Sequence, residues 1–84
     1  MAAGKQTGLQ ERRILAENVR GLRRERNISQ EALAEICDLH RTYIGAVERA
    51  ERNVSLGTVA TLAMGLGVTV PELLTQRGRG HGKP

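Results

Sequence analysis

The chain has 84 residues, a formal net charge of +4 and a single cysteine, Cys37. A chain of this length can form one domain whose core is close to the lower limit for independent stability, so we expect self-association. One cysteine excludes an intramolecular disulfide, and no apolar run is long enough for a secretory signal or a membrane span, which favours a cytoplasmic protein.

The positive charge is concentrated at the two ends. Residues 9–74 contain equal numbers of basic and acidic side chains, so only the arrangement of these charges can make one face of the central part basic. The surplus comes from Lys5, Arg77, Arg79 and Lys83.

Both ends are rich in glycine and short of apolar residues. We therefore expect a flexible arm at residues 1–8, one folded domain at residues 9–75 and a flexible basic tail at residues 76–84. The tail is expected to add non-specific affinity for nucleic acid through counterion release.

A long first helix is predicted from a capping box at Thr7 and Gln10 to about Arg26. Asn27 then suits the left-handed conformation that often follows a helix. The apolar stripe of this helix repeats every three or four residues and consists of Leu15, Val19 and Leu22.

Two short helices follow. Ser29 is the predicted N-cap of the second, which ends at Asp38, a residue type that tolerates positive φ. The third is predicted from about Arg41 to Arg49. The residues expected on the inward face of the second helix are Ala32, Leu33, Ile36 and Cys37.

The fourth helix is predicted between an N-cap at Ser55 and a closing Gly67. Thr69 and Glu72 form a second capping box, which starts a short fifth helix through Leu74. The residues expected to face inward from the fourth helix are Val59, Leu62, Ala63 and Leu66. The pattern predicts an all-α bundle of about five helices.

Two short helices joined by a turn of about three residues form a helix-turn-helix arrangement. Residues 18–74, which include NISQEALAEICDLHRTYIGAVERAERN, resemble the lambda-repressor-like (Xre-type) helix-turn-helix family. Within that family the segment RTYIGAVERAERN is most similar to the controller proteins of restriction-modification systems. The resemblance implies a regulator of transcription that binds double-stranded DNA and acts as a repressor or an activator of its own operon; an activator would also contact RNA polymerase.

Glu48 lies on the inner side of the predicted third helix, four residues after Ile44 and next to Val47. A buried carboxylate needs a partner, and Arg23 flanks the buried stripe of the first helix, so we predict an ion pair between Arg23 and Glu48. The resemblance implies the same pair. The alternative is that Glu48 only caps a solvated edge.

The opposite side of the third helix carries small residues between arginines, which suits entry into a major groove. Gly45 and Ala46 would allow close approach, Thr42 could offer a hydroxyl to a base or a methyl group to thymine, and Arg41 can pair bidentately with guanine. The alternative is an ordinary solvated helix face. Backbone contacts are expected from the start of the second helix and from the segment after the third. The predicted DNA-binding residues are Gln30, His40, Arg41, Thr42, Tyr43, Ala46, Arg49, Arg52 and Asn53.

Two residues depart from the family pattern, which usually has glycine at the positions of Asp38 and Ala50. A left-handed alanine costs about 1 kcal/mol or more. This leaves open a third helix that continues past Ala50.

Apolar residues at the ends of the last two helices exceed what a small core can cover, so we expect a two-fold dimer contact there. Such a homodimer would place its two recognition helices about 34 Å apart and would require a palindromic operator. The alternative is that these side chains complete the monomer core. They are Val68, Val70, Leu73 and Leu74.

A second functional class stays open: an antitoxin-type or adaptor module whose main partner is a protein. An enzyme lacks support, because His40 and His81 are the only histidines and no cluster with metal-ligand spacing or phosphate-binding loop occurs. We therefore expect no cofactor and no metal.

Overall fold

The computed structural model describes residues 8–77, which form five α-helices and no strand. The predicted all-α bundle is confirmed. Residues 1–7 and 78–84, and with them most of the predicted arm and basic tail, lie outside the described residues. The helices are α1 (Leu9–Glu25), α2 (Gln30–Cys37), α3 (Arg41–Glu48), α4 (Leu56–Leu66) and α5 (Val70–Leu74).

Three helices begin at hydroxyl caps that the sequence predicts. The Oγ atoms of Ser29 and Ser55 each accept a hydrogen bond from the backbone N–H three residues later, at 3.0 and 3.1 Å. Thr69 and Glu72 form the predicted capping box at the start of α5. These contacts satisfy N–H groups that have no partner inside the helix.

The start of α1 differs from the prediction. Gly8 occupies the N-cap position with φ of 90°, and no side chain caps the helix. A capping box from Thr7 would place Gly8 in the first helical turn, where φ must be negative, so this prediction is wrong. Thr7 itself lies outside the described residues.

The helices α1 to α4 all end in the same backbone turn. Asn27, Asp38, Ala50 and Gly67 have φ of 57°, 57°, 60° and 73°. In each turn this residue and the next donate N–H groups back to carbonyls of the last helical turn, as in a Schellman motif. The alternative of a longer α3 is therefore excluded, since the N–H of Glu51 bonds to the carbonyl of Ala46 instead of continuing the helix.

The core lies where α1 packs against α3, α4 and α5, and where α2 packs against α3 and α4. This arrangement leaves one side of α3 facing outward. No helix between residues 8 and 77 has the length and apolar character needed to cross a membrane. The largest fully buried side chains are Val19, Leu33, Ile44, Val47, Leu62, Leu66 and Leu73.

One residue of α2 that was predicted to face the core is exposed instead. Ile36 is 57% exposed, whereas Ala34, which the prediction omitted, is buried. The buried face of α2 is centred on Leu33, Ala34 and Cys37, and Ile36 lies about 100° round the helix from that centre.

Asn18 is a buried polar residue that ties α1 to the end of α5. Its Nδ2 atom donates hydrogen bonds to the carbonyl oxygens of Leu73 at 2.7 Å and Thr75 at 2.9 Å. These carbonyls belong to the last turn of α5 or follow it, where a helix supplies no partner. Asn18 thus fixes the last helix against the first.

Candidate nucleic-acid interface

The helix α3 has a buried back and an exposed front. Ile44 and Val47 are buried on the core side. Arg41, Thr42 and Arg49 are exposed on the other side, where Ala46 is half-buried. We call these four outward residues, Arg41, Thr42, Ala46 and Arg49, the reading face.

The buried back of α3 is anchored by the pair that the sequence predicts between Arg23 and Glu48. Arg23 Nε lies 2.7 Å from Glu48 Oε2, and Arg23 Nη2 lies 3.0 Å from Oε1, so the contact is bidentate. The Glu48 side chain is 4% exposed and that of Arg23 is 12% exposed. The alternative of a solvated Glu48 is excluded.

Two further side chains complete the surroundings of Glu48. Gln30 Nε2 donates to Glu48 Oε1 at 3.0 Å, and Arg20 Nη1 donates to the Glu48 backbone carbonyl at 2.8 Å. Burial raises the pKa of Glu48, but the hydrogen bonds from Arg23 and Gln30 and the charges of Arg23 and Arg20 outweigh it, so the pKa ends below its usual value. Glu48 is therefore ionised at neutral pH.

Gln30, predicted to contact phosphate, stands at the first position of α2 and is half-buried. Its amide nitrogen is committed to Glu48, which joins the start of α2 to the end of α3. The side chain thus orients the two helices of the helix-turn-helix relative to each other. Its contact with DNA stays a prediction.

Each arginine of the reading face is paired with a glutamate of the same chain. Arg41 Nε lies 2.9 Å from Glu31 Oε2, and Arg49 Nε lies 3.0 Å from Glu51 Oε2. Sequence reasoning missed both partners. The first pair bridges α2 and α3 and has no signal in sequence spacing, whereas Glu51 follows Arg49 by only two residues.

Gly45 does not lie open on the front of α3, as the prediction of close approach to DNA requires. It is buried, because the Arg49 side chain folds back over it: a Cβ atom at position 45 would lie 3.1 Å from Arg49 Nη1 and 3.8 Å from Gln30 Oε1. Close approach of a groove at this point requires Arg49 to move.

Tyr43 and His40 flank the N-terminal end of the reading face. His40 is exposed at the N-cap position of α3, where its side chain forms no capping hydrogen bond. Tyr43 is half-buried against the core, and the guanidinium of Arg52 lies 4.9 Å from the centre of its ring. A cation–π contact therefore connects two predicted DNA-binding residues.

Asn53, predicted to contact the DNA backbone, accepts a hydrogen bond on its Oδ1 atom from Arg12 Nη1 at 2.6 Å. This contact ties the exposed segment after α3 to the start of α1. The predicted DNA-binding residues thus lie along α3, at its N-cap, at the start of α2 and in the α3–α4 connection.

Not all of the predicted dimer residues are exposed for contact with a second copy of the chain. Leu73 is 0% exposed and belongs to the monomer core, because the short α5 turns it directly against the other helices. Val68 and Val70 are half-buried against the same core, and Leu74 is 37% exposed. The prediction that Leu73 is an interface residue is therefore wrong. For this residue the alternative holds, because its side chain completes the monomer core.

Two more exposed apolar residues lie on α4: Leu56 and Met64 are 76% and 77% exposed. With the exposed Ala60 they form an outward stripe of α4 spaced four residues apart, which we call the α4 stripe (Leu56, Ala60, Met64). The sequence carried a signal for it, because α4 is apolar on all sides.

Among residues 8–77, no group of three or more His, Cys, Asp or Glu side chains could hold a metal ion. Arg77, the first basic residue of the predicted tail, lies against α1, with its Nη2 atom 2.8 Å from Glu25 Oε2.

A short helix with an exposed polar front, positioned by a tight turn after α2 and anchored by a buried ion pair, defines a helix-turn-helix domain. Residues 19–73 match the helix-turn-helix family, and the chain belongs to this family of DNA-binding transcriptional regulators. Two relatives are control proteins. C.SmaI from Serratia marcescens is 63% identical over 65 residues, which cover 77% of each chain. C.BamHI from Bacillus amyloliquefaciens is 47% identical over 64 residues, covering 75% of this chain and 79% of the relative.

Solved structures show the same fold. A hypothetical transcription factor from Neisseria superposes with a TM-score of 0.78 at 40% identity, covering 83% of this chain and 80% of its own. The restriction-modification controller C.AhdI from Aeromonas hydrophila superposes with a TM-score of 0.72 at 39% identity, covering 76% and 97%. The controller C.Esp1396I, solved as a tetramer in complex with its natural 35 base-pair operator, superposes with a TM-score of 0.69 at 30% identity, covering 75% and 87%.

Proposed function

We propose that this protein is the controller of a restriction-modification system, which binds a palindromic operator as a homodimer and regulates transcription of its own operon. The identity with C.SmaI supports this role, as does the likeness to C.AhdI. The relatives that are control proteins favour a DNA-binding regulator over an antitoxin-type module.

The observation that carries the proposal is the outward side of α3. Its back is held by the bidentate contact between Arg23 and Glu48, so the front is presented at a fixed angle. Arg41 at its N-terminal end has the geometry to contact guanine, and Thr42 offers a hydroxyl to a base or a methyl group to thymine. Ala46 leaves room for a thymine methyl group.

Phosphate contacts would flank these base contacts. Gln30 lies at the N-terminus of α2, where backbone N–H groups favour an anion. The segment after α3 supplies Arg52 and Asn53, and Arg49 lies between the two groups. His40 and Tyr43 would approach the backbone at the other end of α3.

We place the dimer contact on the α4 stripe together with Leu74. Leu56, Met64 and Leu74 expose apolar side chains that a small monomer leaves uncovered. A two-fold axis would bring the same patch of each copy together and would present two copies of α3 to successive major grooves.

The proposed role requires no catalytic group and no cofactor. It places the protein with the DNA in the cytoplasm, and as an activator it would contact RNA polymerase.

Selection of bound duplexes from a random pool tests the proposal directly. We expect a palindromic motif whose half-sites are about one helical turn apart. Arg41→Ala should lower affinity for the selected duplex by about 1 to 3 kcal/mol and relax the preference at one base pair of each half-site. Arg13→Ala is the matched control, because it removes an exposed arginine from α1 and should change affinity less.

A pool that shows no enriched motif would refute sequence-specific binding. An enriched motif without two-fold symmetry would refute the dimer, and an unchanged preference in Arg41→Ala would refute the assignment of base contact to that residue.

A further inference from the structure

The two arginines of the reading face are neutralised by carboxylates within the chain. Arg41 pairs with Glu31 at 2.9 Å, and Arg49 pairs with Glu51 at 3.0 Å. All four side chains are more than half exposed, at 59% and 66% for the first pair and 58% and 55% for the second. Two negative charges therefore lie on the surface that is proposed to face a polyanion.

Neither pair is needed to hold the fold. Exposed ion pairs contribute little to stability, because solvent screens them and both long side chains lose freedom. The α2 helix is already capped by Ser29, and α3 is anchored through Glu48. The charge of Glu31 also favours the first turn of α2, but this effect does not depend on its contact with Arg41. Stability therefore does not explain why Glu31 and Glu51 lie beside DNA-facing arginines.

The carboxylates compete with DNA for the same cations. An arginine that already has a carboxylate partner gains less from a phosphate, because it exchanges one anion for another and releases fewer counterions. A negative charge left beside the phosphates adds repulsion. Both effects weaken binding to any sequence.

Contact with guanine is affected differently. Glu31 holds Arg41 through Nε, which leaves the two terminal nitrogens for the paired acceptors N7 and O6 of guanine. A guanidinium held in one plane loses less freedom when it pairs bidentately with a base. Glu31 can therefore remain in place in the specific complex, whereas it opposes a shift of Arg41 towards phosphate.

We propose that Glu31 is a specificity-determining residue, which acts as an intramolecular counter-ion of Arg41 and lowers affinity for non-operator DNA more than affinity for the operator. Glu51, beside the phosphate-facing Arg49, lowers affinity for both. This inference rests on the proposed function, because it requires Arg41 and Arg49 to face DNA.

The test measures dissociation constants of full-length protein for two duplexes by fluorescence anisotropy over a range of salt concentrations. One duplex is the palindrome recovered by selection, and the other is a shuffled sequence of the same composition. Glu31→Gln should bind the shuffled duplex about 3- to 10-fold more tightly and change operator affinity about 2-fold or less, whereas Glu51→Gln should bind both duplexes more tightly by a similar factor. The slope of log affinity against log salt should steepen by up to about 0.9 for each arginine released.

Glu35→Gln is the matched control. Glu35 is exposed on the same helix as Glu31, and its carboxylate makes no ion pair within residues 8–77, so the variant removes the same charge without freeing an arginine. It should change affinity for both duplexes by the same small factor. Thermal unfolding of each variant checks that the fold is retained.

Equal gains for both duplexes in Glu31→Gln, matching those of Glu35→Gln, would overturn the inference and leave only an effect of net charge. Failure of the proposed function is a separate outcome, in which the wild-type protein would bind the two duplexes equally.

Discussion

Glu48 illustrates how a charge is accommodated in a small core. Its carboxylate accepts hydrogen bonds from Arg23 and Gln30, and the carbonyl of the same residue accepts one from Arg20. A buried pair of this kind often gains little over an apolar replacement, but removing one partner leaves the other uncompensated. The benefit of the pair is therefore orientation, since it links α1, the start of α2 and the end of α3.

The low pKa of Glu48 predicts a dependence of stability on pH. Because the folded-state pKa lies below the ordinary value of 4.5, the ionised group stabilises the fold at higher pH, and this contribution is lost as the pH falls through the folded-state value. Glu48→Gln should lower the free energy of unfolding at neutral pH by about 3 kcal/mol and flatten its decline in acid. Urea unfolding between about pH 3 and pH 7 measures both effects. A variant that declines in acid as steeply as the wild-type protein would contradict this assignment.

Ala50 carries backbone strain, with φ of 60° in the turn that ends α3. A left-handed alanine costs about 1 to 2 kcal/mol. Glycine avoids this cost, but part of the gain is lost because glycine gives the unfolded chain more conformational freedom. Ala50→Gly should therefore raise the free energy of unfolding by about 0.5 to 1 kcal/mol, which corresponds to several degrees in Tm for a domain of this size. Differential scanning calorimetry provides the measurement.

Asn27→Gly and Asp38→Gly are controls in equivalent turns with φ of 57°. Asn and Asp tolerate this conformation better than alanine, so their gains should be smaller. Equal gains at the three positions would mean that strain at Ala50 is not the cause.

At the scale of elements, α2 and α4 approach closely at Gly65. A Cβ atom there would lie 2.6 Å from Cys37 Sγ and 3.3 Å from Ile36 Cγ2. This contact fixes the distance between α4 and the first helix of the helix-turn-helix. Ile36, although mostly exposed, has one side next to α4.

Gly65→Ala should destabilise the fold by about 1 to 3 kcal/mol, because the added methyl group overpacks the close contact with Cys37. Combination with Cys37→Ala should cost less than the sum of the two single changes, since it removes the atom that clashes. Chemical unfolding of the four proteins gives the coupling energy. Gly57→Ala on the same helix is the control, because its added Cβ would only meet Ser55 Oγ at 3.8 Å. Simple additivity of Gly65→Ala and Cys37→Ala would show that the helices adjust instead.

At the scale of the whole molecule, the number of charges does not explain DNA binding. The domain has equal numbers of acidic and basic residues over 9–74. Glu48 is buried against Arg23, whereas Arg41, Arg49 and Arg52 remain exposed around α3, the first two of them paired with Glu31 and Glu51. Tertiary packing thus decides which cations reach the outward side of α3 and which carboxylates lie beside them.

The proposed dimer depends on apolar contact through the α4 stripe. Met64→Glu places a charge in the α4 stripe and should convert the dimer to a monomer with unchanged helix content, because a charge at an apolar contact loses its hydration. Operator affinity should fall with it, since one half-site alone provides half of the contacts. Sedimentation equilibrium measures the oligomeric state, and circular dichroism measures the helix content.

Ile36→Glu is the control, because Ile36 is an exposed apolar residue outside the α4 stripe and should leave the dimer intact. A Met64→Glu variant that remains dimeric would move the interface away from this stripe.

The sequence predicted the helices well wherever a local signal existed. Hydroxyl caps at Ser29, Ser55 and Thr69 and the turn residue Gly67 identify boundaries through groups a few positions apart. The start of α1 was the exception, because Gly8 and not Thr7 precedes the first turn. Helical spacing also predicted the pair of Arg23 and Glu48, since both residues flank apolar stripes and an internal carboxylate needs a cation.

Contacts between elements were harder to predict. Leu73 and Leu74 are adjacent leucines, yet one is fully buried and the other partly exposed. The burial of Gly45 beneath Arg49, and the pairing of Arg41 with Glu31, depend on how side chains fold back over a surface that the helix pattern only describes as polar.

Periodicity, capping and the cost of an unpaired buried charge were enough to predict the order of the helices, most of their ends and the need for an internal cation beside Glu48. The apolar side chains that stay uncovered on α4, and the carboxylates that meet the arginines of the reading face, are known only from the packed fold. Burial and ion pairing depend on distances between residues far apart in the chain, which the packing of the five helices sets.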